Sequence, residues 1–265
     1  MEPKKSLGQH WLNDQEVLQD IVDLADIQPG DTVVEVGPGL GTLTRPLLDA
    51  GANVVSVEFD QSLYENLEKR GMELFGKKNL ERLTLVNEDI LRFRFDLMEA
   101  GYKVVANIPY YLTSNLIRLL ASGPKKPELI VLLIQKEVAD RLCAGPGEMS
   151  LLSFWAQIYY DCELGPLVPA KLFTPPPKVD SEVVVMTLRK TPLVEDVDEK
   201  ALSKVVQAGF SNKRKTLHNS LAAGLQLGKD EAGELLKSAG VDPTSRPQEL
   251  DHASWEKIVK YYLTR

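Results

Sequence analysis

The chain has 265 residues, 43% apolar and 26% charged, with a net charge of −7. That is the composition of an ordinary globular protein, long enough for one large domain and a small appendage. No stretch approaches the roughly 20 uninterrupted apolar residues that cross a bilayer, no apolar run of a signal peptide follows M-E-P-K-K, and two cysteines (Cys143, Cys162) with three scattered histidines offer no zinc spacing. A reduced cytoplasmic setting, with no metal and no membrane partner, is the expectation. The acidic total does not exclude nucleic acid, because phosphate binding depends on where positive charge lies. Cations cluster at Lys4-Lys5, Lys125-Lys126, Lys136 with Arg141, and Lys213-Arg214-Lys215.

In chain order, Asn13 and Glu16 resemble a capping box, and Val17, Leu18, Ile21, Val22 and Ala25 recur at helical spacing, so a helix is predicted from Asn13 to Ala25. Gln28-Pro29-Gly30-Asp31 reads as a turn before T-V-V-E-V, a buried strand ending at glycine. A helix over 43–50, the strand N-V-V-S-V-E, a helix over 63–70 and the short strand L-T-L-V follow. Next come the strand K-V-V-A-N, a helix over 113–121, the strand E-L-I-V-L-L-I and the helix K-E-V-A-D-R-L. Strands separated by helices of this length pair in parallel with helices on both faces. The runs 159–168 and 182–188 read as two closing strands, an antiparallel edge. After Thr191-Pro192 only helical patterns remain, near 198–209, 214–223, 230–238 and 251–263. The expected fold is α/β: a doubly wound, Rossmann-like, mostly parallel domain over residues 1–190, then a small all-helical domain over 191–265.

In V-V-E-V-G-P-G-L-G, Gly37, Gly39 and Gly41 stand between a strand and a helix, where glycine lets the backbone approach a ligand. The spacing G-x-G-x-G differs from the G-x-G-x-x-G of a dinucleotide pyrophosphate site, and Glu35 adds a carboxylate that suits an amino group. Glu58 ends the second strand about 20 residues on, where ribose hydroxyls are held; Asp60 is the better cap for the following helix. Asp89, after the third strand, is placed to accept from an adenine amine, with Glu88 as its competitor. Together these residues describe an adenosine-containing, phosphate-free cofactor, best matched by S-adenosylmethionine, and hence a class I methyltransferase domain.

The fourth strand ends in A-N-I-P-Y-Y, at the same edge of the sheet. An exocyclic adenine amine is a poor nucleophile and gains positive charge as it is methylated. The Asn107 oxygen and a carbonyl of Ile108 or Pro109 can accept its protons, Pro109 fixes the backbone direction, and Tyr110 offers a stacking face.

The chain thereby resembles the ribosomal RNA adenine dimethyltransferase family, in its branch acting on small-subunit ribosomal RNA. The likeness runs through S-L-G-Q-H-W-L, E-V-G-P-G-L-G, N-I-P-Y, Q-K-E-V-A-D-R-L, F-T-P-P-P-K-V-D-S and F-S-N-K-R-K-T-L-H-N-S-L. It implies cofactor contacts at Gln9, His10, Leu12, Gly37, Gly39, Glu58, Asp89 and Asn107. Phe173 would be a second aromatic wall facing Tyr110 across a flipped adenine, and Lys213, Arg214 and Lys215 would contact RNA. It further implies two methyl groups on each of two adjacent adenines near the 3′ end of the RNA, in the small subunit or its precursor. A monomer is the default expectation. Three alternatives are a large-subunit RNA methyltransferase of the macrolide-resistance type, a non-catalytic RNA-binding assembly factor, and an NAD-dependent oxidoreductase. P-P-P-K-V-D-S opposes the first, the intact site residues the second, and the glycine spacing the third.

Overall fold

The computed structural model describes residues 3–4, 7–212 and 214–264. Lys5 and Lys213, which belong to two of the basic clusters, lie outside the described residues. The chain divides into two compact units: Met1–Asp140 with Asp161–Leu188, and Arg141–Tyr160 with Arg189–Arg265.

The first unit carries strands β1 (Trp11–Leu12), β2 (Thr32–Val36), β3 (Asn53–Glu58), β4 (Leu83–Asn87), β5 (Lys103–Asn107), β6 (Leu129–Gln135), β7 (Tyr160–Val168), β8 (Phe173–Thr174) and β9 (Ser181–Leu188). Its helices are α1 (Gln15–Leu24), α2 (Thr44–Asp49), α3 (Gln61–Leu80), α4 (Thr113–Ser122) and most of α5 (Lys136–Leu142), whose last two residues belong to the second unit. Seven strands form one sheet in the order β4-β3-β2-β5-β6-β9-β7. Pairing is parallel from β4 through β6, and β9 runs antiparallel to β6. The β-branched runs dictate this: Val33, Val34, Val54, Val104, Val105, Ile130 and Val131 have no measurable exposure, as a sheet covered on both faces requires.

Several local expectations shift. The first helix is capped by Asp14, whose side chain accepts from the Val17 amide at 3.1 Å, one residue after Asn13. Asp60 caps α3 as expected, accepting from the Ser62 amide at 2.9 Å. Helix α3 continues past Arg70 to Leu80, with a break at Gly76 (φ 76°). A two-stranded antiparallel ladder, too short to leave a periodic pattern, pairs β1 with β8: Trp11 opposes Thr174 and Leu12 opposes Phe173.

The second unit is helical: α6 (Leu151–Tyr159), α7 (Glu199–Phe210), α8 (Leu217–Leu225), α9 (Lys229–Ser238) and α10 (His252–Leu263). Helix α6 was not anticipated. Ser150 caps it, accepting from the Ser153 amide at 3.2 Å. Its Phe154 and Ile158 join Val205, Leu217, Leu221, Leu236 and Trp255 in one buried cluster. A boundary near residue 190 therefore misses residues 141–160, because their apolar face is buried among helices that lie later in the chain.

Candidate active site

The site lies at the carboxyl edge of the sheet, where the strand order reverses between β2 and β5, the usual place for a ligand crevice. In the β2–β5 register Glu35 opposes Val105, which brings the glycine turn level with Asn107. In the neighbouring registers Val36 opposes Val57 and Glu58 opposes Asn87. Parallel pairing thus gathers four strand ends separated by up to 70 residues of chain. They open on a cavity of about 430 Å³, within the size range of small-ligand pockets.

Gly37, Gly39 and Gly41 all have positive φ, at 68°, 59° and 81°. At Gly41 a Cβ would also stand 2.8 Å from Phe75 Cζ, so only glycine lets α2 begin against α3. At Gly39 the backbone passes under the Trp11 indole, with its amide donating to Glu58 Oε2 at 3.2 Å. Glu58 Oε1 accepts from the Asp60 amide at 2.8 Å. Asp60 is buried up to its contacts with Lys4 Nζ at 2.8 Å and Gln9 Nε2 at 3.3 Å. Burial pushes the Asp60 carboxyl up, but Lys4, the Ser62 amide and Gln9 outweigh it, and the group is held below its usual range. Asp89 caps its own turn, accepting from the Leu91 amide at 3.0 Å, and Glu88 lies beside it on the cavity wall.

Glu35 is fully enclosed at the cavity floor. Its Oε2 accepts from Thr44 Oγ1 at 2.7 Å and Ser56 Oγ at 2.6 Å, while Oε1 has no partner. Burial raises its pKa from 4.5 to about 7. Burial likewise raises that of Glu58. The folded protein therefore keeps the Glu35 proton well above the pH at which the unfolded chain releases it. The stability this group contributes is full below about pH 4.5 and falls as pH rises through about 7, a change of roughly 3 kcal/mol. Glu35→Gln, which retains both hydroxyl contacts, is expected to flatten that slope in urea unfolding measured across this range; an unchanged slope would assign the pH dependence elsewhere.

On the β5 side, the Asn107 Nδ2 donates to the His10 carbonyl at 3.4 Å, which leaves its Oδ1 for the cavity. The Tyr110 hydroxyl shares a hydrogen bond with Ser181 at 2.8 Å, and burial raises its pKa. The His10 ring lies on the Tyr110 ring, with centroids 5.8 Å apart and planes at 26°. Its Nδ1 donates to the Pro175 carbonyl at 2.7 Å. Leu12 and Phe173 are both buried and both line the cavity, held together by the β1–β8 pairing.

Gln9, His10, Leu12, Gly37, Gly39, Glu58, Asp89, Asn107, Pro109, Tyr110 and Phe173 thus border a single cavity. Phe173 is 3% exposed, part of the core cluster beneath the site, and the ring found on Tyr110 is that of His10. Arg214 and Lys215 are exposed in the second unit, before α8. Sequence reasoning missed the cavity-lining Trp11, Phe59 and Tyr111, and the Lys4–Asp60 contact. Each is a direct neighbour of a motif residue or its cap, the one signal available.

Five carboxylates line this cavity: Glu35, Glu58, Asp60, Glu88 and Asp89. Such a lining repels a pyrophosphate and suits a ligand that presents hydroxyl, ammonium and sulfonium groups. The partnerless Glu35 Oε1 leaves a polar atom at its floor for a ligand to pair with. Among the described residues, these carboxylates included, no three metal-ligating side chains are grouped so that they could hold one ion.

Fold and site together define a Rossmann-like methyltransferase with S-adenosylmethionine as its cofactor. The chain belongs to the ribosomal RNA adenine dimethylase family, whose model matches residues 1–264. It is 39% identical to a ribosomal RNA small subunit methyltransferase A of Dehalococcoides mccartyi strain CBDB1, over 99% of this chain and 89% of that protein. It is 42% identical to the protein of that name from Lactobacillus acidophilus, over 93% and 87%. Among solved structures, a dimethyladenosine transferase from Plasmodium falciparum superposes with a TM-score of 0.80 at 25% identity, covering 96% of this chain and 98% of that one. The 23S rRNA methyltransferase ErmE superposes at 0.71 and 25%, covering 95% and 98%.

Proposed function

We propose that this protein transfers methyl groups from S-adenosylmethionine to the exocyclic amines of two adjacent adenines near the 3′ end of small-subunit ribosomal RNA, two to each, within the small subunit or its precursor. It does so as a cytoplasmic monomer; no helix among the described residues is long and apolar enough to cross a membrane. The observation that carries the reading is the Asn107 amide, tethered through Nδ2 with its oxygen left for a cavity that Tyr110 and the five carboxylates also line.

The cofactor supplies an electrophilic methyl group. Glu58 would hold its ribose hydroxyls, Asp89 its adenine amine and Glu35 its ammonium, while Gly37 and Gly39 would let the backbone approach it and Gln9 and Leu12 would close the wall. Asn107 Oδ1 accepts one proton of the target amine and a carbonyl of the Ile108–Pro109 turn the other. The nitrogen lone pair is then aimed out of the ring plane, and the developing positive charge meets acceptors already in place. Tyr110 carries the base on its face, and Phe173 backs the loop beneath it. The proton leaves to water after transfer, so no general base is required.

The small-subunit assignment rests on relatives bearing that name at 39% and 42% identity, against 25% for the 23S enzyme. The test is transfer of labelled methyl groups to unmethylated small and large subunits in parallel, with nucleoside mass spectrometry. Dimethyladenosine on the small subunit alone is expected. Label on the large subunit would move the assignment to the resistance type, and no label on either would leave an RNA-binding factor.

The basic segment Lys213-Arg214-Lys215 contacts RNA phosphates in this reading. Replacing Arg214 and Lys215 by alanine is expected to weaken subunit binding and to reduce the log–log salt slope by roughly 0.7–0.9 for each phosphate that is no longer neutralised. An unchanged slope would make the segment an ordinary solvated turn.

A further inference from the structure

The resemblance puts His10 against the cofactor, but the geometry of its ring points to the other side of the cavity. The imidazole stacks against one side of the Tyr110 ring in an offset contact, with centroids 5.8 Å apart and planes at 26°. A base sandwiched between two rings needs two contacts of about 3.5 Å each, so roughly 7 Å between the outer rings. His10 and a stacked base therefore compete for one face of Tyr110.

The side chain and the backbone of His10 are held separately. The backbone carbonyl receives the Asn107 amide, and the following residues Trp11 and Leu12 are fixed by pairing with Thr174 and Phe173. The ring is held by the Pro175 carbonyl at 2.7 Å and by its contact with Tyr110. Rotation about χ1 would lift the imidazole off Tyr110 without releasing Asn107 or the short ladder.

We propose that His10 is a place-holder on the Tyr110 face, displaced by the target adenine, so that base insertion breaks the His10–Pro175 hydrogen bond. This rests on the base site assigned above. It gives the site a means of discrimination that needs no edge reading: an incoming base must outcompete the imidazole and its hydrogen bond. A purine stacks over more area than the five-membered ring it replaces, whereas a pyrimidine gains less.

The test uses small subunits reconstituted with ribosomal RNA carrying 2-aminopurine at one target adenine, with its fluorescence reporting insertion. His10→Ala is expected to raise the insertion constant about fivefold, the equivalent of one net hydrogen bond. His10→Trp is expected to lower it. A folding defect would depress both variants alike, so opposite responses identify the place-holder. Reduced insertion in His10→Ala that His10→Phe restores would make His10 a supporting wall and overturn the proposal. So would lost cofactor binding with insertion unchanged, or no effect in any variant. If the unsubstituted protein transfers no methyl group to small subunits, the functional reading itself fails; normal transfer with unaltered insertion sinks only the place-holder.

Discussion

Asn107→Ala is expected to cut the single-turnover rate of methyl transfer by about 10²–10³-fold, the loss typical of removing one preorganised polar group from a charge-developing centre. Binding of the small subunit should change by no more than about 1 kcal/mol, because the interaction strengthens only as the amine becomes charged. The prediction depends on the orientation of the amide. With Nδ2 committed to the His10 carbonyl, Oδ1 is the atom left for the cavity, and alanine deletes that acceptor while sparing the β5 backbone. Rapid mixing with labelled S-adenosylmethionine, alongside filter binding of the subunit, separates the two effects. Retained turnover would remove Asn107 from the chemistry, and a collapse of binding with a normal rate would make it a binding residue.

The largest stability effect is expected in the helical unit. Trp255 of α10 is fully buried, stacked on Phe210 with centroids 5.3 Å apart and edge-on to Phe154 at 6.0 Å. Its ring fills the space left by Gly209 of α7, where an added Cβ would lie 2.3 Å from Cη2. Trp255→Ala should cost about 3–5 kcal/mol, the loss of a large aromatic plus the cavity it leaves. Gly209→Ala alone should also destabilise, since a backbone-tethered Cβ meets a ring that cannot retreat. In the Trp255→Ala background most of that penalty is expected to vanish: the remaining close neighbour is the tip of the Leu217 side chain, Cδ1 at 3.0 Å, which can shift, and alanine in a helix is favoured over glycine by roughly 0.5–1 kcal/mol. Urea unfolding followed by far-UV circular dichroism provides the double-mutant cycle. Additive effects would mean that glycine and indole are not packed as one unit.

The strands were legible because burial on both faces favours short β-branched runs between turn signals, as in T-V-V-E-V, K-V-V-A-N and E-L-I-V-L-L-I. Helix α6 was not, because S-L-L-S-F-W-A-Q-I-Y-Y carries apolar residues nearly all round. Its role depends on partners such as Trp255, which stands about a hundred residues later. The same limit applies to the first helix: Asn13 and Asp14 are both sound caps, and the backbone turn chooses between them.

At the site, the sequence alone determined residue types at strand ends: three glycines, Glu58, Asp89, Asn107 and Tyr110, each set by a motif that its neighbours complete. Tertiary structure decided what those types face. Parallel register brought Glu35 beside Ser56, and the start of α2 added Thr44, burying a carboxyl with one oxygen unpartnered. A ladder of two residues a side carried Phe173 into the core and His10 onto Tyr110. Local motifs record which groups the chemistry needs; which face of a ring is covered, and by what, depends on contacts between segments some 165 residues apart, which no local pattern encodes.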